Sequence, residues 1–284
     1  MKKITWIGTG VMGHAMVTHL INAGYPITIY TRSKQKALDL ADKARLVDSI
    51  EEAVKEADVV MMMVGYPSDV ESVAQQIFMF APKGTLIIDM TTSSPSLAIS
   101  LYQQAKAAKM SMLDAPVSGG DIGAKNASLT IMVGGDESDF SEASDILKHL
   151  GKSINLIGSA GFGQHCKMAN QIVVAGNTVA ISEAIHYMLS TGLDPIKTLN
   201  ALGGGAASSW QLLNNGPKMI NKNFEPGFYV HHFVKDLELI EEEARQASID
   251  LPMVHQVLNL YRRLIEDGDR ELGTQALIRA YRKD

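Results

Sequence analysis

The feature that most constrains this chain is a glycine-rich segment directly after its first short apolar run. Residues Ile4–Ile7 predict a β-strand, and Gly8, Gly10 and Gly13 follow in the spacing Gly-x-Gly-x-x-Gly at the start of a helical pattern. In such a turn the first glycine permits a tight bend, the second lets a pyrophosphate approach the backbone, and the third lets the helix pack on the strand. The segment therefore predicts a dinucleotide site at a helix N-terminus. Its predicted cofactor-binding residues are Gly8, Thr9, Gly10, Val11, Met12 and Gly13.

Short apolar runs alternate with helical patterns through the first half of the chain. The predicted strands are residues 4–7, 27–31, 59–64, 85–89, 112–114 and 129–133, and helical stretches include 12–23, 34–41 and 95–108. This alternation predicts βαβ units and a parallel sheet. The strands are apolar throughout, which is typical of a sheet with helices on both faces.

The pattern changes after about residue 158. Residues 164–191 contain no proline and predict one long apolar helix, which Gly192 would cap, and further helices are predicted at 195–202, 234–247, 253–266 and 275–281. We therefore predict an α/β protein with a Rossmann-type doubly wound sheet in 1–160 and an all-helical substrate and dimerisation domain in 161–284. Because the long apolar helix needs cover, we expect a homodimer or homotetramer.

The end of the second predicted strand indicates which nicotinamide cofactor is bound. An NAD site usually has an Asp or Glu there for the ribose hydroxyls. Here the strand runs into Thr31, Arg32 and Ser33, without an acid. Arg32 can accept the 2′-phosphate of NADP, helped by Thr31, Ser33 or Lys34, so we predict NADP as the preferred cofactor. The alternative is that Arg32 is a solvated loop residue and that the protein accepts NAD as well.

Three polar residues share one face of the long predicted helix. Lys167, Asn170 and Gln171 are related by i, i+3 and i+4. If they are buried they need partners, and a substrate with a hydroxyl and a carboxylate would provide them. The alternative is a polar stripe that faces solvent or caps the helix, and the helix alone does not separate the two.

A second polar element follows the strand predicted at 112–114. Ligands in open α/β sheets bind at the carboxyl ends of the strands. Ser118 and the backbone amides of Gly119 and Gly120 make a small anion nest suited to a carboxylate. The alternative is an ordinary glycine-rich turn.

These motifs, taken in order, resemble the β-hydroxyacid dehydrogenase family, which includes 3-hydroxyisobutyrate dehydrogenase, tartronate semialdehyde reductase, the glyoxylate/succinic semialdehyde reductases and, more distantly, 6-phosphogluconate dehydrogenase. The matching segments are 8–13, 89–95, 114–120, 161–171, and 224–228 leading to 235–237. Five ordered motifs at family-like spacing are far more specific than any one of them. The 167–171 run and the 224–228 segment look most like tartronate semialdehyde reductase.

The resemblance implies a role for each site residue. Lys167 would be the general acid and base, and Asn170, with Gln171, would orient the substrate. Ser118, Gly119 and Gly120 would hold the substrate carboxylate. Thr92, Val64 and Lys235 would contact the cofactor, and Asp236 would fix Lys235.

The implied reaction is reversible hydride transfer between NADP(H) and a small β-hydroxyacid or its semialdehyde, of the 3-hydroxyisobutyrate, tartronate or succinic semialdehyde, or glyoxylate class. The resemblance therefore implies an NAD(P)-dependent oxidoreductase acting on the CH–OH group of donors. One alternative is an enzyme like 6-phosphogluconate dehydrogenase, although that enzyme typically has a His just before the Asn, where this chain has Ala169. Another is an imine reductase, which usually lacks the lysine. A third is a non-catalytic NADP-binding sensor, against which Lys167, Asn170 and Ser118 together argue.

Composition and termini exclude several classes. The net charge of −5, from 26 basic and 31 acidic residues, argues against nucleic acid as a partner. A single cysteine, Cys166, fits a reducing compartment. No signal pattern opens the chain and no window looks long and apolar enough to span a bilayer, so we expect a cytoplasmic protein without a membrane partner. His231 and His232 are adjacent and expected to diverge, and no carboxylate cluster joins them, so no metal is expected.

Overall fold

The structure is a computed structural model that describes residues 1–281. It contains two compact units, Met1–Lys167 and Met168 onward. The first unit holds a nine-stranded sheet. Its strands are β1 Ile4–Ile7, β2 Ile27–Tyr30, β3 Arg45–Leu46, β4 Val59–Met62, β5 Leu86–Asp89, β6 Ser111–Asp114, β7 Val117–Ser118, β8 Leu129–Gly134 and β9 Gly151–Gly158.

The order of the strands creates a crevice at the carboxyl ends of the strands. The order is β3-β2-β1-β4-β5-β6-β8-β7, with β9 beside β8. Strand β1 is parallel to both β2 and β4, and its last residue, Ile7, lies opposite Tyr30 and Met62. The loops that follow these three strands therefore meet at one edge, where ligands bind in doubly wound sheets.

Helices cover both faces of this sheet, as the sequence predicts. The helices of the first unit are α1 Val11–Asn22, α2 Ile50–Val54, α3 Pro67–Phe80, α4 Pro95–Ala107, α5 Gly120–Lys125 and α6 Glu137–Leu147, with a 3₁₀ helix at Lys34–Leu40. Alternate strand residues enter different cores. Trp6 and Met61 pack with α1 and α6, whereas Ile7 and Met62 pack with α2, α3 and α4. The doubly wound Rossmann-type architecture is therefore confirmed.

The outer strands of the sheet differ from the prediction. The expected sheet is parallel, but β8 runs antiparallel to β6 and β7. Strands β3, β7 and β9 are absent from the predicted set. The first two have only two residues each, and most residues of β9 are exposed or half-buried, so it lacks the continuous apolar run of the central strands. The segment predicted as a helix at 34–41 is a 3₁₀ helix at Lys34–Leu40.

The last residue of β6, Asp114, anchors the start of the long helix α7, Phe162–Thr191. One carboxylate oxygen accepts the N–H of Gly161 at 2.7 Å, and the other accepts the N–H of Gln164 at 2.9 Å. Burial raises the pKa of the Asp114 carboxyl, and hydrogen bonds from these backbone amides oppose that rise. The side chain therefore supplies the acceptors that the first turn of a helix otherwise lacks.

Two glycines make room for this anchor. A Cβ on Gly163 would lie 2.5 Å from the Met132 carbonyl oxygen and 2.7 Å from that of Asp114. A Cβ on Gly134 would lie 2.6 Å from the Asp114 carboxylate. Side chains at these positions would push the first turn of α7 off the strand ends.

The second unit contains helices and no named strand in its described part. Besides the remainder of α7, it holds α8 Pro195–Gly203, α9 Trp210–Ile220, α10 Val230–Gln246 and α11 Pro252–Glu266, with 3₁₀ helices at Asp269–Glu271 and Thr274–Tyr281. Gly192 follows α7 with a φ of +78°, as a C-terminal cap requires. Helix α9 is not in the predicted set because Asn214, Asn215, Gly216 and Pro217 are poor helix formers.

The expectation that no window is long and apolar enough to span a bilayer was wrong. Helix α7 has 30 residues and a mean hydropathy of 1.3 in its most apolar window, of which 33% is buried. By length and composition it could cross a membrane. A single such helix is weak evidence, because core helices of soluble proteins meet the same criteria.

We expect Asp114→Asn to lower the free energy of unfolding by about 1–3 kcal/mol, because the amide would present an N–H₂ group to one of the two backbone donors and leave it unpaired. The measurement is urea unfolding followed by tryptophan fluorescence. Asp145→Asn is the matched control, since Asp145 is exposed and pairs with Lys148 on the protein surface. Equal midpoints for the two variants would contradict the anchoring role.

Candidate active site

The first βα turn has the close approaches that its glycines predict. Gly8 has a φ of +95°, and a Cβ there would lie 2.3 Å from the Met63 carbonyl oxygen. A Cβ on Gly13 would lie 2.1 Å from the Gly8 carbonyl oxygen. By contrast, nothing lies within 4 Å of a Cβ built on Gly10. The turn is closed on its protein side and open above Gly10.

The start of α1 has the chemistry that a pyrophosphate needs. Gly10 is the N-cap and provides no side-chain cap, so the first backbone N–H groups point to the open side. The Thr9 hydroxyl oxygen is buried and makes no hydrogen bond within the part of the chain that the structure describes. Val11 is exposed and Met12 is half-buried beside it. These features fit a dinucleotide with its phosphates at the helix N-terminus.

The residues after β2 lie at the same sheet edge. Thr31 is half-buried, while Arg32 and Ser33 are exposed. The Arg32 guanidinium donates to the Asp69 carboxylate on α3 at 3.1 Å, and the Arg32 side chain is 78% exposed. The cation expected to bind a 2′-phosphate thus has a carboxylate neighbour, and no sequence pattern indicates this pair.

The loops after β4 and β5 are joined by side-chain hydrogen bonds. The Thr91 hydroxyl accepts the Val64 N–H at 3.0 Å, and the Asp89 carboxylate accepts the Thr91 N–H at 2.9 Å. Thr92, the predicted cofactor contact, is half-buried next to this junction. Val64 and Thr92 therefore lie on connected segments at the carboxyl ends of neighbouring strands.

Gln164 is a residue of this edge that the sequence analysis did not identify. Its side chain is completely buried. The amide oxygen accepts the Ser93 N–H at 2.9 Å, and the amide nitrogen donates to the Thr91 carbonyl at 2.7 Å. Nothing in the sequence distinguishes a buried glutamine with two main-chain partners from an exposed one, apart from its place between Gly163 and Lys167.

Lys167 follows Gln164 by three residues on α7. It is only 6% exposed, which is rare for lysine and requires compensation from partners. This burial argues against the alternative of a polar stripe that faces solvent, as far as Lys167 is concerned. Cys166, its neighbour, is half-buried.

Ser118, Gly119 and Gly120 form a sharp turn between β7 and α5. Ser118 ends β7 and lies opposite Thr130 of β8. Gly119 and Gly120 have φ values of +132° and +63°, which side chains would disfavour. The turn is therefore built around its glycines, and its carboxylate-binding role stays a prediction.

In the second unit, a buried carboxylate organises the polar residues. The Asp236 carboxylate accepts the Gln171 side-chain N–H at 2.6 Å and lies 3.0 Å from the Lys235 ammonium. The Gln171 amide oxygen in turn accepts from the Asn170 side chain at 2.7 Å. Asp236 thus holds Lys235 on one side and, through Gln171, orients Asn170 on the other.

The two adjacent histidines of α10 do not diverge as expected. The ring centroids of His231 and His232 are 4.2 Å apart, because the first turn of the helix lets both rings lean together. Burial, together with the neighbouring His231 and Lys235, lowers the pKa of His232 to about 4. Across the described residues no group of three metal-ligating side chains was found.

Comparison with known proteins identifies the family. Residues 3–161 match the profile of the NAD-binding domain of 6-phosphogluconate dehydrogenase, and residues 161–281 match the profile described as NAD-binding of NADP-dependent 3-hydroxyisobutyrate dehydrogenase. The first match supports a nicotinamide-binding domain where the glycine turn lies.

Individual relatives cover nearly the whole chain. A probable 3-hydroxyisobutyrate dehydrogenase-like protein of Arabidopsis thaliana is 42% identical over 98% of this chain and 84% of its own length. The 2-hydroxy-3-oxopropionate reductase of Escherichia coli is 36% identical over 98% of this chain and 96% of its own length. The solved structure of Mycobacterium tuberculosis 3-hydroxyisobutyrate dehydrogenase with L-serine is 31% identical, with a TM-score of 0.92 over 99% of both chains. The chain therefore belongs to the β-hydroxyacid dehydrogenase family and is an NAD(P)-dependent oxidoreductase.

Proposed function

We propose that this enzyme interconverts a small semialdehyde acid and its β-hydroxyacid with NADP(H), and that Lys167 is the general acid and base. The observation that carries this proposal is the burial of Lys167 on the first turns of a helix whose start is fixed by Asp114. A lysine in such a place has a fixed position and little solvent around it. Those are the conditions under which a side chain transfers protons efficiently.

The proton chemistry follows from the charge that develops on the substrate. The bound nicotinamide supplies or accepts the hydride at the reacting carbon. In the reducing direction the carbonyl oxygen gains negative charge, and the Lys167 ammonium donates a proton to it as the alcohol forms. In the oxidising direction the neutral amine takes the hydroxyl proton while the carbon loses its hydride.

The remaining site residues hold and orient the substrate in this proposal. The Ser118 hydroxyl and the amides of Gly119 and Gly120 bind its carboxylate, as the glycine-built turn permits. Asn170 donates to the substrate through an amide that Gln171 orients. Asp236 keeps both Gln171 and Lys235 in place and does not itself react.

The substrate class is a β-hydroxyacid of three or four carbon atoms. The 36% identical E. coli relative is named for 2-hydroxy-3-oxopropionate, and the M. tuberculosis relative was solved with L-serine, itself a small β-hydroxy carboxylate. Among the semialdehydes that yield such acids on reduction we favour 2-hydroxy-3-oxopropionate, because the 167–171 run carries Gln171 beside Asn170, as the resemblance to tartronate semialdehyde reductase implies.

NADP is the proposed preferred cofactor. Strand β2 is followed by Arg32 and Ser33 and not by an acid, and the exposed guanidinium can leave the Asp69 carboxylate for a phosphate at small cost, since surface ion pairs contribute about 0–1 kcal/mol. The carboxylate of Asp69 nearby limits that preference, so we expect NADH to be used more weakly and not excluded.

A panel of aldehydes tests the proposed substrate. We expect the purified protein to oxidise NADPH with 2-hydroxy-3-oxopropionate faster than with succinic semialdehyde, methylmalonate semialdehyde or glyoxylate, as followed by absorbance at the nicotinamide band. Turnover of a different aldehyde would overturn the preference and keep the class. Silence on the whole panel, with NADPH still bound, would contradict the proposed function.

Lys167→Met tests the proton donor. Methionine keeps the length and apolar stem of the side chain and removes its proton, so we expect turnover to fall by roughly 10²–10⁴-fold while the Kd of NADPH changes little. Lys148→Met is the control, because Lys148 is an exposed lysine of the same unit whose ion-pair partner among the described residues is Asp145. Near-normal turnover in the Lys167 variant would contradict the assignment of Lys167 as the general acid and base.

Arg32→Ala tests the phosphate reader. We expect the Kd of NADPH to rise by about tenfold or more, the range of one lost charge-assisted contact, and the Kd of NADH to change little. Arg45→Ala on the neighbouring strand β3 is the control, since Arg45 is an exposed arginine that pairs with Glu52. A parallel loss for both cofactors would show that Arg32 does not read the 2′-phosphate.

A further inference from the structure

We propose that Gln164 is a positioning residue that fixes the segment carrying Thr92 to the helical turn carrying Lys167. This inference rests on the proposed function for the roles of Thr92 and Lys167. We call the Gln164 side chain, with its hydrogen bonds to Ser93 and Thr91, the clamp. It lies in the first unit, and Gln164 is not among the residues to which the resemblance assigns a role.

The side-chain amide of Gln164 bonds to the 91–93 segment in the way that a peptide group of a neighbouring β-strand would. The Gln164 side-chain amide accepts from Ser93 N–H at 2.9 Å and donates to Thr91 C=O at 2.7 Å. These two main-chain groups flank Thr92. One acceptor and one donor thus meet the segment as a neighbouring peptide group would in a β-ladder.

The position of Gln164 is fixed from its own main chain as well. Its N–H donates to the Asp114 carboxylate at 2.9 Å, so its backbone is bonded to the end of β6 while its side chain is bonded to the loop after β5. The side chain is completely buried, and an apolar residue there would leave the Ser93 donor and the Thr91 acceptor unpaired. The site therefore selects an amide over a hydrocarbon of the same size.

The consequence for catalysis comes from helical spacing. Gln164 and Lys167 are three residues apart, which is a rise of about 4.5 Å on one side of α7. The clamp therefore sets the distance between Thr92 and the turn that carries Lys167. A displacement of about 1 Å in such an arrangement can cost roughly 10²-fold in rate.

The segment beyond the clamp depends on it in turn. Ser94, directly after Ser93, is the N-cap of α4 and accepts the Leu97 N–H at 3.1 Å. On the other side, Thr91 holds the Val64 N–H. Gln164 thereby connects α7 to two loops from which the resemblance predicts cofactor contacts.

Gln164→Leu is the direct test, with Thr85→Val as its matched control. Thr85 is also buried, and its single hydroxyl hydrogen lies between two backbone carbonyls, those of Ala57 at 3.0 Å and Pro82 at 2.8 Å, but it precedes β5, at the opposite ends of the strands. Both variants lose buried hydrogen bonds to the main chain. Only the first loses them beside Thr92.

Two readouts separate positioning from stability. Without any ligand, we expect amide hydrogen exchange at Ser93 to be at least about tenfold faster in Gln164→Leu and unchanged in Thr85→Val, because one removed hydrogen bond corresponds to a factor of this order. With NADPH and 2-hydroxy-3-oxopropionate, we expect kcat to fall by about 10–100-fold and the deuterium isotope effect from 4-deuterated NADPH to rise, with the Kd of NADPH within about threefold.

Gln164→Glu gives a second variant in case leucine prevents folding. A protonated glutamic acid again offers one donor and one acceptor, whereas the carboxylate cannot donate to Thr91 C=O. Burial raises the pKa of such a carboxyl group. We therefore expect the activity of this variant, relative to the wild type at the same pH, to rise as the pH is lowered from about 8 to 6.

Unchanged Ser93 exchange in Gln164→Leu would overturn the clamp, whatever the substrate proves to be. A loss of turnover no larger than in Thr85→Val, or one without a change in the isotope effect, would overturn its catalytic role. Failure of the proposed function looks different: either the wild type is silent on the aldehyde panel or Lys167→Met keeps its turnover, while the ligand-free exchange result at Ser93 still stands.

Discussion

The site depends on the bond between one carboxylate and the beginning of one helix. Asp114 ends β6 and accepts the N–H groups of Gly161 and Gln164 at the start of α7. Its negative charge also lies at the positive end of the helix dipole. Each residue of an α-helix turns the next by about 100°, so a slip of one position would carry Lys167 to another side of α7. The anchor therefore fixes both the depth and the rotation of the proposed catalytic lysine.

The anchor also explains why glycine is needed at positions that bind nothing in the proposed mechanism. Gly134 and Gly163 lie against Asp114, where any Cβ would come within about 3 Å of its atoms. Gly8 and Gly13 serve the equivalent purpose in the first βα turn. At the anchor the absence of a Cβ lets the backbone approach the Asp114 carboxylate, and in the turn it lets two backbone segments approach each other, despite the entropic cost of glycine.

Much of the fold could be predicted because it rests on local patterns. The apolar runs, the Gly-x-Gly-x-x-Gly turn and the long helix ended by Gly192 all have signals in the order of their residues. The edge strand β9 and helix α9 could not be predicted, because β9 has few fully buried residues and α9 contains Asn, Gly and Pro that only tertiary packing holds in a helix.

The residues that we propose to react or to bind ligands could be predicted from the sequence, whereas the residues that hold them in place could not. The residues that we propose to contact ligands, such as Lys167 and the glycines, belong to motifs. Gln164, Asp69 and the paired rings of His231 and His232 act through contacts made across the fold. Gln164 lies 71 residues from Ser93, and no spacing rule links the two. Such contacts become visible only when distances are known.

Transfer of deuterium from the cofactor tests most directly the central claim, which is that this enzyme transfers a hydride between NADPH and a semialdehyde. The wild-type enzyme would be incubated with NADPH carrying deuterium at both C4 positions and with 2-hydroxy-3-oxopropionate, and the product examined by mass spectrometry. We expect one deuterium in the product, on the former aldehyde carbon. With unlabelled NADPH in deuterated water, we expect no deuterium from the solvent on that carbon. Product formed without deuterium from the cofactor would contradict hydride transfer and with it the assigned roles of Lys167 and Thr92.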